Sequence, residues 1–220
     1  MKSIVIVITG ITLMLLLSDC GNWNKSERGA AIGATAGAVV GGVIGKQAGN
    51  TAAGAILGAV VGGAAGAYIG HQMDKQAEEM RRDLQGAKIE RIGEGIKITF
   101  ESGILFGVNS ISVRPEAQVN LNKLAVILNK YPDTDILVEG HTDSTGSEQY
   151  NMELSRHRAE SVGNLLVGKG VRGSRLQLVG YGESQPSDTA NSVEGMQNNR
   201  RVEIAVFAND KLKAAAKARG

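Results

Sequence analysis

The chain has little of several things that usually direct function. It holds one cysteine, Cys20, so no intrachain disulfide can form. Aromatic residues make up 4% of its 220 residues, too few for a base-stacking surface. The formal net charge of +2 offers no broad attraction for a polyanion, so no nucleic-acid partner is expected. Only three histidines occur, His71, His141 and His157, with no His-Glu-x-x-His run and no Cys–His cluster. No metal, no cofactor and no enzyme follow from that pattern. Cys20 sits in a leader, His141 reads as a strand side chain, and His157 falls off the apolar face of its helix. The length does suffice for one domain with a real core plus accessory segments.

What abounds is glycine, 30 residues, 13 of them crowded between Gly29 and Gly70. The run Gly37-Ala38-Val39-Val40-Gly41-Gly42 recurs as Gly58-Ala59-Val60-Val61-Gly62-Gly63, an internal repeat. Glycines four apart fall on one helix face and let two backbones approach closely. A flexible linker would be richer in serine and polar residues than this Ala-, Val- and Ile-rich segment. Each interior glycine costs an isolated helix about 0.8–1.0 kcal/mol relative to alanine, so the segment must pack on itself, on copies of itself or in lipid. A helical hairpin over 29–70 follows, in or against a membrane, with a polar turn at Lys46–Thr51. The halves carry no Asp or Glu, which argues against a proton path. A homo-oligomer built on the zipper stays open. Gly45-Lys46 does not open a phosphate loop, because Val40 replaces its first glycine and Gln47 its Ser or Thr.

The first 19 residues read as a secretory signal, with Lys2 ahead of an apolar run from Ile4 to Leu17. Leu17-Ser18-Asp19-Cys20 resembles the bacterial lipobox, whose cysteine is acylated and becomes the mature N-terminus. Asp19 departs from the small residue that pattern prefers, and an uncleaved anchor is the competing reading. Gly21 in place of aspartate tilts the expectation to the outer membrane over the inner. Residues 20–28 are then a lipidated N-terminus and short linker. Residues 71–94 read as a charged helical linker with Met73, Ala77, Met80 and Leu84 on one face. Residues 208–220 read as a charged tail.

The folded domain is expected over 95–207. Ile96 to Phe100 alternates as a strand. Pro115 opens a helix whose Ala117, Leu121, Leu124, Ala125 and Leu128 form one apolar face, stopped near Pro132. Ile136–His141 is a strand, Tyr150–Val167 a helix, and Arg175–Gly180 and Arg201–Phe207 are strands. That order predicts an α/β (α+β) two-layer sandwich with two main helices on one face of a small mixed sheet.

On the second helix Leu154, Val162 and Leu165 share a face with Asn151, and Arg158 lies in its middle. A cation there needs an acidic partner or a cleft. Asp143, in the loop after the preceding strand, is the nearest candidate. Either Asp143 and Arg158 form an internal salt bridge, or they flank a cleft at the carboxyl ends of the strands. In a cleft, the aspartate would take an ammonium group and the arginine a carboxylate.

Glu139-Gly140-His141-Thr142-Asp143-Ser144-Thr145-Gly146, Tyr150-Asn151, Leu154-Ser155-Arg156-His157-Arg158-Ala159, Gly180-Tyr181-Gly182-Glu183 and Asn199-Arg200-Arg201-Val202-Glu203-Ile204 together resemble the OmpA C-terminal domain family. The resemblance covers about half the chain, and the layout resembles envelope lipoproteins with a glycine zipper. It implies non-covalent binding of peptidoglycan through the diaminopimelate of the stem peptide. It carries the family's aspartate and arginine onto Asp143 and Arg158, places Thr142, Asn151 and Leu154 in the same pocket, and gives Arg201 a supporting part. The chain would then tether a membrane to the cell wall.

Overall fold

A computed structural model describes residues 51–219. The signal segment, Cys20 and the first half of the glycine repeat lie outside the described residues.

Five strands form one sheet: β1 (Ala87–Ile92), β2 (Gly95–Glu101), β3 (Thr134–Gly140), β4 (Leu176–Gly180) and β5 (Arg201–Ala208). Their order is β1-β2-β5-β3-β4, with β3 and β4 parallel and the other pairs antiparallel. The helices are α1 (Thr51–Gly58), α2 (Gly63–Asp83), α3 (Ser102–Leu105), α4 (Pro115–Lys130), α5 (Glu148–Gly168), α6 (Val193–Asn199) and α7 (Asp210–Lys217). The expected α/β sandwich with a mixed sheet is present. The predicted strands and the two main helices appear within a residue or two of their expected places.

Side chains alternate across a strand, so one strand feeds two faces. Ile136, Val138, Ile204 and Val206 enter the main core with Leu121, Leu124 and Leu128 of α4 and Ala159, Val162 and Leu166 of α5. Leu137, Ala205 and Phe207 point the other way, and Ala52, Ala55, Ile56 and Ala59 cover them. Helices were expected on one face only; α1 occupies part of the second.

This corrects the hairpin reading for residues 51–70. They are not one arm: α1 ends at Gly58, and Gly62 and Gly63 take φ of +73° and +62° where α2 starts. Glu94 stabilises the break, its carboxylate accepting the N–H groups of Val61 (2.9 Å) and Gly62 (2.8 Å). No helix among the described residues is long and apolar enough to cross a membrane. The boundary expected at residue 70 also falls inside α2, which buries Ile69 as well as Met73, Ala77 and Met80. The end of the expected helical linker is an edge strand: β1 pairs with β2 through a tight turn at Gly93, whose φ is +51°. The expected tail contains α7, which buries Leu212 and Ala216.

Candidate functional site

The site lies where β3 ends and α5 begins. Two glycines let these elements touch. A β-carbon on Gly140 would collide with the Ser155 carbonyl oxygen, and one on Gly180 with the Arg156 backbone nitrogen. The Ser155 hydroxyl accepts the Gly182 N–H at 2.8 Å and donates to the Met152 carbonyl at 2.9 Å, fastening α5 to the loop after β4. Ser147 caps the helix by accepting the Tyr150 N–H.

Asp143 sits in the intervening loop with 7% of its surface exposed. Its Oδ1 accepts the Thr145 N–H at 2.9 Å, and its Oδ2 accepts Arg200 Nη1. Burial pushes the carboxyl up, but the bonds from Arg200 and Thr145 outweigh it and hold the pKa below its ordinary value. Asn151 donates from Nδ2 to the Asp143 carbonyl oxygen at 3.2 Å and to Glu183 Oε2 at 2.7 Å. Thr142 is buried beside them, and its hydroxyl has no hydrogen-bond partner. Leu154 is half-buried one turn further along α5.

Arg158 is 5% exposed. Its Nε donates to the Ser110 carbonyl oxygen at 3.0 Å, and its guanidinium lies 5.1 Å from the centre of the Phe106 ring. No carboxylate pairs with it among the described residues. The internal Asp143–Arg158 salt bridge is therefore not formed, although Asp143 is near enough to act on Arg158 electrostatically. Burial lowers the Arg158 pKa, with Arg200 adding to that effect and Tyr150 and Asp143 opposing it.

Arg201 is not brought to Asp143 and Arg158. It lies on the α1 side of β5, 3% exposed, donating to Glu203 Oε1 (2.6 Å) and to the carbonyl oxygens of Asn199 and Gln185. The arginine that reaches Asp143 is Arg200, the residue between α6 and β5. Sequence reasoning missed it and gave the supporting part to Arg201. It also missed Ser110, which a tertiary contact alone brings to Arg158.

The OmpA family profile matches residues 105–200, and a YMGG-like Gly-zipper profile matches residues 1–74. The chain is 35% identical over 138 residues to the probable lipoprotein YiaD of Escherichia coli (strain K12), covering 62% of this chain and 63% of that one. It spans less than two thirds of YiaD's length. It is 36% identical over 121 residues to the peptidoglycan-associated lipoprotein of Mesorhizobium japonicum, covering 54% of this chain and 72% of that one. Among solved structures it resembles the cell wall anchor of the T6SS from Pseudomonas aeruginosa, with a TM-score of 0.54 and 32% identity, over 62% of this chain and 97% of that one.

Proposed function

The chain belongs to the OmpA family, and from that premise we propose that the cleft between Asp143 and Arg158 binds peptidoglycan without chemical change. The observation that carries this is Arg158. A buried guanidinium with no carboxylate partner is costly in the free protein, and a ligand carboxylate would relieve it. Its Nε is held by Ser110, which orients the fork for a bidentate pair. Asp143 supplies the complementary charge for an ammonium group. Diaminopimelate, whose free end carries both groups, matches the pair. Two relatives point to the same polymer by name, one as peptidoglycan-associated and one as a cell wall anchor. Thr142, Asn151 and Leu154 shape the cleft; Arg200 holds Asp143 ready.

With Cys20 acylated in the outer membrane, the chain would hold that membrane to the wall from the periplasmic side. Sedimentation with insoluble peptidoglycan tests the site. Losing one partner of a buried charge pair costs about 2–5 kcal/mol, so Asp143→Ala and Arg158→Ala should each cut binding more than tenfold. If both variants still sediment with the wall as the parent does, the cleft is not the binding site.

A further inference from the structure

On the opposite face of the sheet, beneath α1, Glu139 and His141 at the end of β3 meet Glu203 of β5. Their exposures are 0%, 1% and 2%. One carboxylate oxygen from each glutamate and one imidazole nitrogen all lie within 4.8 Å of one another. We propose that Glu139, His141 and Glu203 form a structural binding site for a divalent transition-metal ion of the zinc class.

Charge is the first argument. Two buried carboxylates share one buried cation, Arg201, which is already bonded to Glu203 Oε1. Lys97 contributes to the field, but its ammonium is paired with Glu90 at 3.3 Å. The N–H of Ala52, at the start of α1, is directed at Glu139. A helix terminus brings only about half a charge, so part of the excess remains.

Unfilled valence is the second argument. Neither ring nitrogen of His141 has a hydrogen-bond partner, nor does Glu203 Oε2. A proton shared between the two carboxylates would cancel charge but leave the imidazole without a partner. A single cation engages all three side chains at once. Nitrogen and oxygen donors about 2.0–2.2 Å from a tetrahedral ion stand roughly 3.4 Å apart. His141 Nε2 and Glu139 Oε2 are 3.6 Å apart, and the other pairs lie within 4.8 Å.

The donor set selects the ion. One imidazole with two carboxylates suits zinc, whereas magnesium and calcium favour larger all-oxygen shells. The Tyr181 ring stacks on the imidazole at 5.6 Å and 21°, which fixes its plane. Thr51, next to Ala52 at the start of α1, donates to Gln185 Oε1 at 2.7 Å. An ion there would tie the end of β3 to β5 beneath α1 and take no part in ligand binding at Asp143.

The test uses untagged full-length protein stripped with a chelator, then titrated with zinc chloride, with magnesium chloride as the comparison. The expected result is one zinc per chain, a raised melting temperature, and a visible absorption band when cobalt(II) replaces zinc. His141→Gln and Glu139→Gln should each weaken zinc binding at least tenfold, with circular dichroism confirming the fold. No zinc binding by the parent chain would overturn the proposal. So would binding that survives both variants and disappears in a His71→Gln/His157→Gln double variant, which would indicate an adventitious ion only.

Discussion

Asp143 is bonded to Arg200 rather than to Arg158, the arginine two helical turns beyond Asn151. The two charges expected to neutralise one another are thus held apart, each by a different loop. Asp143 is drawn toward the start of β5, and Arg158 toward Ser110 after α3. That separation keeps the guanidinium fork available to something other than the protein.

Arg200 should therefore set the acidity of Asp143. Replacing it with alanine removes the strongest contact opposing burial, so the Asp143 pKa should rise. A carboxyl whose folded pKa lies below the unfolded value stabilises the fold above that value, and the contribution disappears as pH falls through the folded pKa. The parent should keep this contribution down to pH below the ordinary 3.8 of aspartate, and Arg200→Ala should lose it at higher pH. Carbon-detected titration of the Asp143 carboxyl measures both. An unchanged pKa in the variant would show that Arg200 does not hold the carboxylate.

Arg158 should separate stability from binding. Its charge is buried without an acidic partner, and apolar residues of similar volume often replace buried ions without loss. Arg158→Met should hold the melting temperature or raise it, while wall binding is lost. A structural arginine would behave oppositely, its removal destabilising the fold. Thermal denaturation alongside sedimentation checks the pair of outcomes.

The contrast between legible and hidden features follows physical lines. Ile96 to Phe100 alternates cleanly because β2 buries Ile96, Ile98 and Phe100 on one face, and α4 shows its apolar stripe because it packs on one face. Strand β1 carries Lys88, Glu90 and Arg91 on the sheet edge, where charges are tolerated, so it reads like a solvated helix. Residues 51–58 are small and apolar, a composition that suits lipid and a sheet face equally. Arg175 looks like an ordinary strand cation. Yet it is 4% exposed and bonds the carbonyl oxygens of Leu128, Tyr131 and Thr134, closing the turn into β3. Asp143 and Arg158 stood out in the sequence by position and charge, but their separate anchors, Arg200 and Ser110, depend on the tertiary fold.

Gly140→Ala should damage the fold and the cleft together. The added methyl would strike the Ser155 carbonyl oxygen, which belongs to helix backbone and cannot swing away. Overpacking of this kind costs about 1–3 kcal/mol and occasionally more. The shift of α5 would also carry Asn151 and Arg158 away from Asp143. Gly103→Ala is the control, since a β-carbon there meets nothing within 4 Å. Urea denaturation should show a loss of about 2 kcal/mol or more for Gly140→Ala, and a midpoint for Gly103→Ala close to the parent's.

The docking of α1 can be tested inside one turn of helix. Ile56 is fully buried against the sheet, whereas its neighbour Leu57 is 58% exposed. If α1 rests on the sheet in solution, Ile56→Ala removes apolar contacts with the layer formed by Leu137, Ala205 and Phe207. Such truncations cost about 2–5 kcal/mol, with the low end applying where a short helix can settle into the gap. Leu57→Ala should cost less than about 0.5 kcal/mol, as surface changes do. Equal, small effects at both positions would mean that residues 51–58 leave the sheet, and a hairpin role for them would return. A large effect at Ile56 alone ties the end of the glycine repeat to the five-stranded domain, so that an anchor lying ahead of it would reach that domain through a packed helix.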